Sequence, residues 1–199
     1  MIEQGMRYYY QALLVDPPAT WLQHRISPNS MTCLSGIVGI LVLPALWFNH
    51  IILAIGLLLL SGYCDTLDGT IARFSQQTSA WGSVLDIMMD RVVEFVVVFA
   101  LWSIDPISRS LWGMLMLGSM LLCITSFLVV GIFTENHSHK GFHYSPGIME
   151  RAEAFLFFIA MMLWPTVFGF LAAVFSALVA MTALIRLYQF YVQTTKGLC

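Results

Sequence analysis

CDTLDGTIARFSQQTSAWGSVLDIMMDR, residues 64–91, joins two apolar stretches and sets four aspartates where the flanking sequence carries almost no charge. Asp65, Asp68, Gly69 and Ala72 are spaced i, i+3, i+4 and i+7, so a helix places them on one face, with Arg73 just beyond. Gly82, Asp86 and Asp90 follow at i, i+4 and i+8 and form a stripe on a second helix. At about 1.5 Å rise per residue, Asp86 and Asp90 lie on the order of 7 and 13 Å inside a helix beginning near Trp81.

Outward from this junction the chain is membrane sequence. Of its 199 residues, 59% are hydrophobic and 10% charged, and so small a core cannot bury so much apolar surface in water. Apolar stretches of the roughly 20 residues a bilayer demands fall near 30–48, 51–73, 81–104, 108–133, 147–165 and 167–192. The fold expected is therefore an all-α integral membrane protein, a six-transmembrane-helix bundle forming one domain over 1–199. Short connections at His50, Asp105 to Arg109 and Pro165 to Thr166 make successive spans antiparallel neighbours. Ahead of the first span, Ile2, Met6, Tyr9, Tyr10, Leu13 and Leu14 recur at helical spacing before Pro17 and Pro18. That predicts an amphipathic N-terminal helix over 1–22, lying in the membrane interface or packed on the bundle.

Charge sets orientation and narrows the partners. Arg7, Arg25, Arg73, Lys140, Arg151, Arg186 and Lys196 fall on the side of both termini, and Arg109 alone marks the opposite loops. Short cytoplasmic loops retain Lys and Arg, so both termini and the aspartates are expected in the cytoplasm. A net charge of -2 and the lack of a basic-aromatic cluster argue against nucleic acid as a partner. Cys33, Cys64, Cys123 and Cys199 lack CxxC spacing and read as small buried hydrophobes. The N-terminus has no basic region followed by an unbroken apolar run, so a removable signal peptide is not expected.

Carboxylates inside a membrane edge require partners, and Asp65, Asp68, Asp86 and Asp90 converging from two helices make a hard oxygen site suited to magnesium or manganese, with calcium also chemically acceptable. Gly69, Ala72 and Gly82 remove bulk beside them, letting a ligand or a neighbouring backbone approach. Taken singly, each is equally an ordinary packing residue. Intramembrane carboxylates also mark proton and cation pathways, so a transporter is a rival class, and a non-catalytic scaffold is a third. The four aspartates cluster at one leaflet, without charged residues continuing to the other face. Glu135, His137, His139 and His143 form a separate polar loop, readable as a zinc site or as histidines gathered at water level.

The pattern D-x2-D-G-x2-A-R-x8-G-x3-D-x3-D, from Asp65 to Asp90, resembles the full signature of the CDP-alcohol phosphotransferase family. Pro28, Asn29 and Thr32 in ISPNSMT are similar to the start of that family's first span, where polar side chains approach the nucleotide pyrophosphate; helix capping by Asn29 is the plainer explanation. The resemblance implies transfer of a phosphatidyl group from CDP-diacylglycerol to the hydroxyl of a small polar alcohol, with CMP released. It implies two divalent ions, Mg2+ or Mn2+, held by Asp65, Asp68, Asp86 and Asp90, with Asp90 also the base that takes the attacking hydroxyl's proton. Asn29, Thr32, Asp68, Gly69, Ala72, Arg73 and Gly82 would then cradle the CDP-lipid. The resemblance further allows a homodimer, and the expected location is the inner membrane of a bacterium.

Arg91, Lys140, Arg151 and Arg186 are the candidates for contacting the acceptor, each otherwise explained by snorkelling to headgroups. Arg151 in SPGIMERAEAF and Arg186 in LIRLYQ resemble the two arginines that bacterial inositol-phosphate phosphotransferases direct at the acceptor phosphate. A third basic position is absent, since Ser126 and Phe127 are followed by Leu128, Val129 and Val130. TENHSHKGFHYSPG is similar to an SHK-containing stretch of phosphatidylinositol synthases that use unphosphorylated inositol. Inositol or inositol phosphate is therefore the expected acceptor, with glycerol 3-phosphate and then serine behind.

Overall fold

The computed structural model describes residues 10–133 and 147–195. Expectations that rest on Lys140, on the loop with Glu135, His137, His139 and His143, and on positions 1–9 of the N-terminal helix lie outside the described residues. Every described element is helical: a π-helical turn Gln11–Val15, then α1 (Asp16–Leu22), α2 (Pro28–Ile40), α3 (Val42–Trp47), α4 (Ile51–Phe74), α5 (Ala80–Ser103), α6 (Pro106–Phe133), α7 (Arg151–Leu163), a 3-10 turn Pro165–Val167 and α8 (Phe168–Thr195). The chain forms two compact units, Met1–Val97 and Val98–Cys199, whose boundary falls within α5.

Four helical stretches among the described residues are long and apolar enough to cross a bilayer: Pro28–Trp47, Ile51–Phe74, Pro106–Phe133 and Pro165–Thr195. Six are expected from the apolar stretches of the sequence. α5 is long enough at 24 residues, but Asp86, Asp90, Arg91 and Glu94 break its apolar run. α7 has 13 residues, short of the roughly 20 a perpendicular span requires.

In the first unit, α2 begins where Ser27 Oγ accepts the Ser30 N–H at 3.2 Å, with Pro28 in the first turn, where its missing N–H costs nothing. α3 and α4 end in the left-handed region without glycine, at Asn49 (φ 58) and Gln76 (φ 54). The His50 N–H returns to Ala45 C=O at 2.8 Å, and the Gln77 N–H to Ala72 C=O at 3.0 Å, so both ends are closed by the wide-turn bond typical of left-handed caps. Across the unit, Ser35 Oγ donates to Ser61 C=O (2.8 Å) and Ser61 Oγ donates to Ser35 C=O (2.9 Å), a buried reciprocal tie between α2 and α4. Gly36 and Gly39 then admit α5: a Cβ on Gly39 would stand 2.5 Å from Val93 Cγ2, and one on Gly36 2.7 Å from Met89 Sδ. These small-residue contacts fix α5 against α2, so the aspartates of α4 and α5 are set by packing rather than by the Ser75–Ser79 turn alone.

The N-terminal helix docks on the same unit. Val15 and Ala19 share a buried cluster with Met31, Cys64, Leu67 and Ile71. Tyr63 OH donates to Leu14 C=O at 2.6 Å, and Gln11 Nε2 donates to Thr70 Oγ1 at 3.0 Å. The described part of this segment therefore packs against α2 and α4 of the first unit, while Leu13, Leu14 and Trp21 stay exposed.

In the second unit α6 and α7 pack along α8. A Cβ at Gly147 would lie 2.1 Å from the Thr182 methyl, and the Met149 N–H donates to Thr182 Oγ1 at 3.0 Å. α7 opens on a reciprocal capping box between Glu150 and Glu153.

Candidate functional site

Asp65 and Asp68 on α4 and Asp86 on α5 present carboxylate oxygens that all lie within 4.8 Å of one another. Asp68 is 5% exposed, and its Oδ2 is buried without a hydrogen-bond partner among the described residues. A buried unpaired carboxylate oxygen is costly unless a cation or donor meets it. Three hard oxygen ligands on two helices, one of them with a lone-pair face unused, fit a divalent cation of the magnesium or manganese type.

Asp90 lies one helical turn beyond Asp86 on α5 and is not part of the converging trio. The same i, i+4 spacing continues to Glu94, which is 5% exposed and pairs with Arg91 Nη1 at 2.5 Å. Glu94 was legible as the next member of the stripe but stood outside the aspartate pattern. Arg91, expected to face the acceptor, is thus already engaged by a carboxylate on its own helix.

The small residues divide into two kinds. A Cβ at Gly69 would meet only the tip of Arg73, Nη1 at 3.7 Å, so the space above Gly69 is open beside Asp65 and Asp68. A Cβ at Gly82 would stand 3.2 Å from Asn29 Oδ1 and 3.1 Å from Ser79 Oγ, so here the glycine admits neighbouring polar side chains. Asn29 is thereby brought from the start of α2 to the start of α5. Thr32 is buried and donates to Pro28 C=O at 3.1 Å. Ala72 is half-buried, and Arg73 is exposed with Nη2 donating to Thr70 Oγ1 at 2.9 Å.

Thr70 escaped the sequence reading because it falls off the aspartate stripe. Its hydroxyl accepts from both Gln11 and Arg73 and donates to Thr66 C=O at 3.0 Å, joining the N-terminal helix to the arginine beside the carboxylates. In the second unit Arg186 Nη1 donates to Cys123 C=O at 3.1 Å, with Ser126 Oγ at 3.4 Å and the Phe127 ring 5.2 Å from the guanidinium. The guanidinium of Arg151 lies 5.3 Å from the Phe155 ring centre.

Residues 25–189 match the CDP-alcohol phosphatidyltransferase family. The chain belongs to that family. Membership of the CDP-alcohol phosphatidyltransferases decides between the classes left open by the sequence, in favour of phosphatidyl transfer in phospholipid biosynthesis over ion transport. Among relatives, the chain is 32% identical over 180 residues to "Inner membrane protein YnjF" of Escherichia coli, covering 87% of this chain and 86% of that one. It is 26% identical over 148 residues to a phosphatidylinositol phosphate synthase of Corynebacterium glutamicum, covering 71% of this chain and 65% of the relative. Its fold is similar to that of a Mycobacterium tuberculosis phosphatidylinositol phosphate synthase solved with CDP-DAG bound, with a TM-score of 0.73, 18% identity, and 88% and 92% of the two chains covered. A second structure of that enzyme, in complex with manganese and citrate, aligns with a TM-score of 0.73 at 17% identity, covering 88% of each chain.

Proposed function

We propose that the protein is a divalent-metal-dependent phosphatidyltransferase that moves the phosphatidyl group of CDP-diacylglycerol to a hydroxyl of inositol phosphate, or of inositol itself, and releases CMP. The observation that carries this reading is the Asp65, Asp68 and Asp86 convergence beside the open face of Gly69 in a chain of this family. The relatives named for phosphatidylinositol phosphate favour the inositol class of acceptor over glycerol 3-phosphate and serine, as do two arginines, Arg151 and Arg186, in the second unit. The family match runs through both units, which supports treating 1–199 as one catalytic domain.

In the proposed reaction an acceptor hydroxyl oxygen forms a bond to the phosphorus that carries diacylglycerol, while the bond from that phosphorus to the bridging oxygen breaks and CMP departs with that oxygen. Asp90, one turn from the metal-binding trio, takes the hydroxyl proton. Bound magnesium or manganese, two ions by the family resemblance, would offset charge on the phosphoryl oxygens and on departing CMP. Asp65, Asp68 and Asp86 would hold the metal, and Asp90 would contribute to a second ion. Arg73, tethered through Thr70, donates to the pyrophosphate, and Asn29, Thr32, Ala72 and Gly82 shape the nucleotide side of the cleft. We place the trio in the cytoplasmic leaflet of a bacterial inner membrane, with α5 and α7 completing six crossings.

Purified protein incubated with CDP-diacylglycerol, manganese or magnesium and, in turn, inositol phosphate, inositol, glycerol 3-phosphate and serine tests this directly. CMP release and a product of matching mass are expected with an inositol acceptor. Metal-dependent CMP release with none of the four rejects the reading.

A further inference from the structure

Beyond the C-terminal end of α5, a cleft of about 200 Å³ opens between the α5–α6 turn and the α7–α8 turn, lined by residues that include Asp105, Arg109, Trp112 and Thr166. Asp105 follows the C-terminal end of α5, whereas Asp86 and Asp90 sit towards its N-terminal end. Arg109 is 6% exposed, yet among the described residues its guanidinium makes a single hydrogen bond, from Nη1 to Leu101 C=O at 2.6 Å, and lies 4.3 Å from the centre of the Phe168 ring. A guanidinium has five N–H donors, and a buried cation without an ion pair needs an anion or several acceptors. Asp105 is on the cleft's exposed rim, where it accepts from Ser108 Oγ at 2.5 Å and the Ser108 N–H at 3.3 Å. Those two bonds hold the Asp105 carboxyl below the usual carboxylate range, so it stays ionised.

The cleft thus offers a buried cation with spare donors and, at its rim, a fixed anion. Its walls are apolar at Phe168 and Pro165, and the indole N–H of Trp112 faces Gly169. Aromatic side chains with one polar end are suited to the membrane–water boundary. We propose that this cleft binds the headgroup of an aminophospholipid, with the phosphodiester on Arg109 and the ammonium on Asp105. The site is separate from phosphatidyl transfer and takes its lipid from the leaflet reached by the C-terminal end of α5.

The test uses the full chain, purified and delipidated in detergent, titrated with phosphatidylethanolamine, phosphatidylglycerol, diacylglycerol and soluble glycerophosphoethanolamine, with bound molecules counted by native mass spectrometry. Phosphatidylethanolamine is expected to bind best, phosphatidylglycerol more weakly and diacylglycerol least. Arg109→Gln should weaken both phospholipids by about tenfold, the scale of one charge-assisted hydrogen bond. Asp105→Asn should erase only the advantage of phosphatidylethanolamine. Since loss of a buried arginine can unfold a chain, Gly169→Ala is a second probe: its Cβ would stand 3.0 Å from Trp112 Nε1, pushing the indole and narrowing the cleft. That variant should lose phosphatidylethanolamine while keeping CMP release. Equal retention by the wild type and these variants, or no preference of the wild type for phospholipid over diacylglycerol, overturns the site. Glycerophosphoethanolamine binding as tightly as the lipid overturns the lipid assignment in favour of a soluble phosphoester.

Discussion

Asp68 and Asp90 occupy equivalent-looking places in the sequence pattern, but the structure gives them different surroundings. Asp68 lies inside the trio, whereas Asp90 stands a turn away on α5. Their substitutions should therefore separate metal binding from proton transfer. Asp68→Asn removes a hard ligand, so manganese binding measured by titration calorimetry should collapse and CMP release fall by about a thousandfold or more. Asp90→Asn should leave manganese bound at the trio but slow CMP release by about a hundredfold to ten-thousandfold, the range for loss of a general base. Normal turnover by Asp90→Asn with CDP-lipid bound would remove it from the proton-transfer role. Arg91 belongs to the same scale: its Nη1 is paired with Glu94 at 2.5 Å, so a contact with the acceptor falls to its remaining N–H donors.

Glycines that look alike in sequence behave as two populations once the helices are placed. Gly39 lets α2 approach α5, and a Cβ there meets Val93 Cγ2 at 2.5 Å and Cγ1 at 2.8 Å. Gly39→Ala should therefore lower stability by about 1–3 kcal/mol, the usual cost of overpacking a close helix contact. Gly69 faces open space beside the carboxylates, so Gly69→Ala should leave the thermal midpoint near the wild-type value and raise KM for CDP-diacylglycerol. A drop in thermal midpoint for Gly69→Ala equal to that for Gly39→Ala would make Gly69 a packing residue and dissolve the cleft reading. The stripe of Asp65, Asp68, Asp86 and Asp90 was legible because helical periodicity alone orders it. Gln11 and Thr70 were not, since the Gln11–Thr70–Arg73 link joins residues 59 positions apart and depends on how the N-terminal helix docks.

For the whole molecule, the sequence shows helices and their order clearly because apolar runs bounded by turns need no tertiary information. It counts crossings less securely, because the residues that make the site are those that interrupt an apolar run. α5 is the deciding helix: its length of 24 residues suffices for a bilayer, while its charges belong to the aspartate stripe and the Arg91–Glu94 pair. Buried partners reduce the cost of such groups, so α5 can cross despite them. The consequence is a parity that labelling can read. With Cys33, Cys64, Cys123 and Cys199 replaced, single cysteines at Thr78→Cys, Ile107→Cys and Thr195→Cys report the loop before α5, the turn after it and the end of α8. If α5 and α7 both cross, an impermeant thiol reagent applied to sealed inverted vesicles should label positions 78 and 195 but not 107, which is 93% exposed and accessible once the membrane is opened. If only the four strongly apolar stretches cross, position 107 lies on the same side as 78 and labels with it. Labelling of all three in sealed vesicles therefore rejects the six-span bundle without touching the metal trio, because Asp65, Asp68 and Asp86 are brought together within the first unit alone.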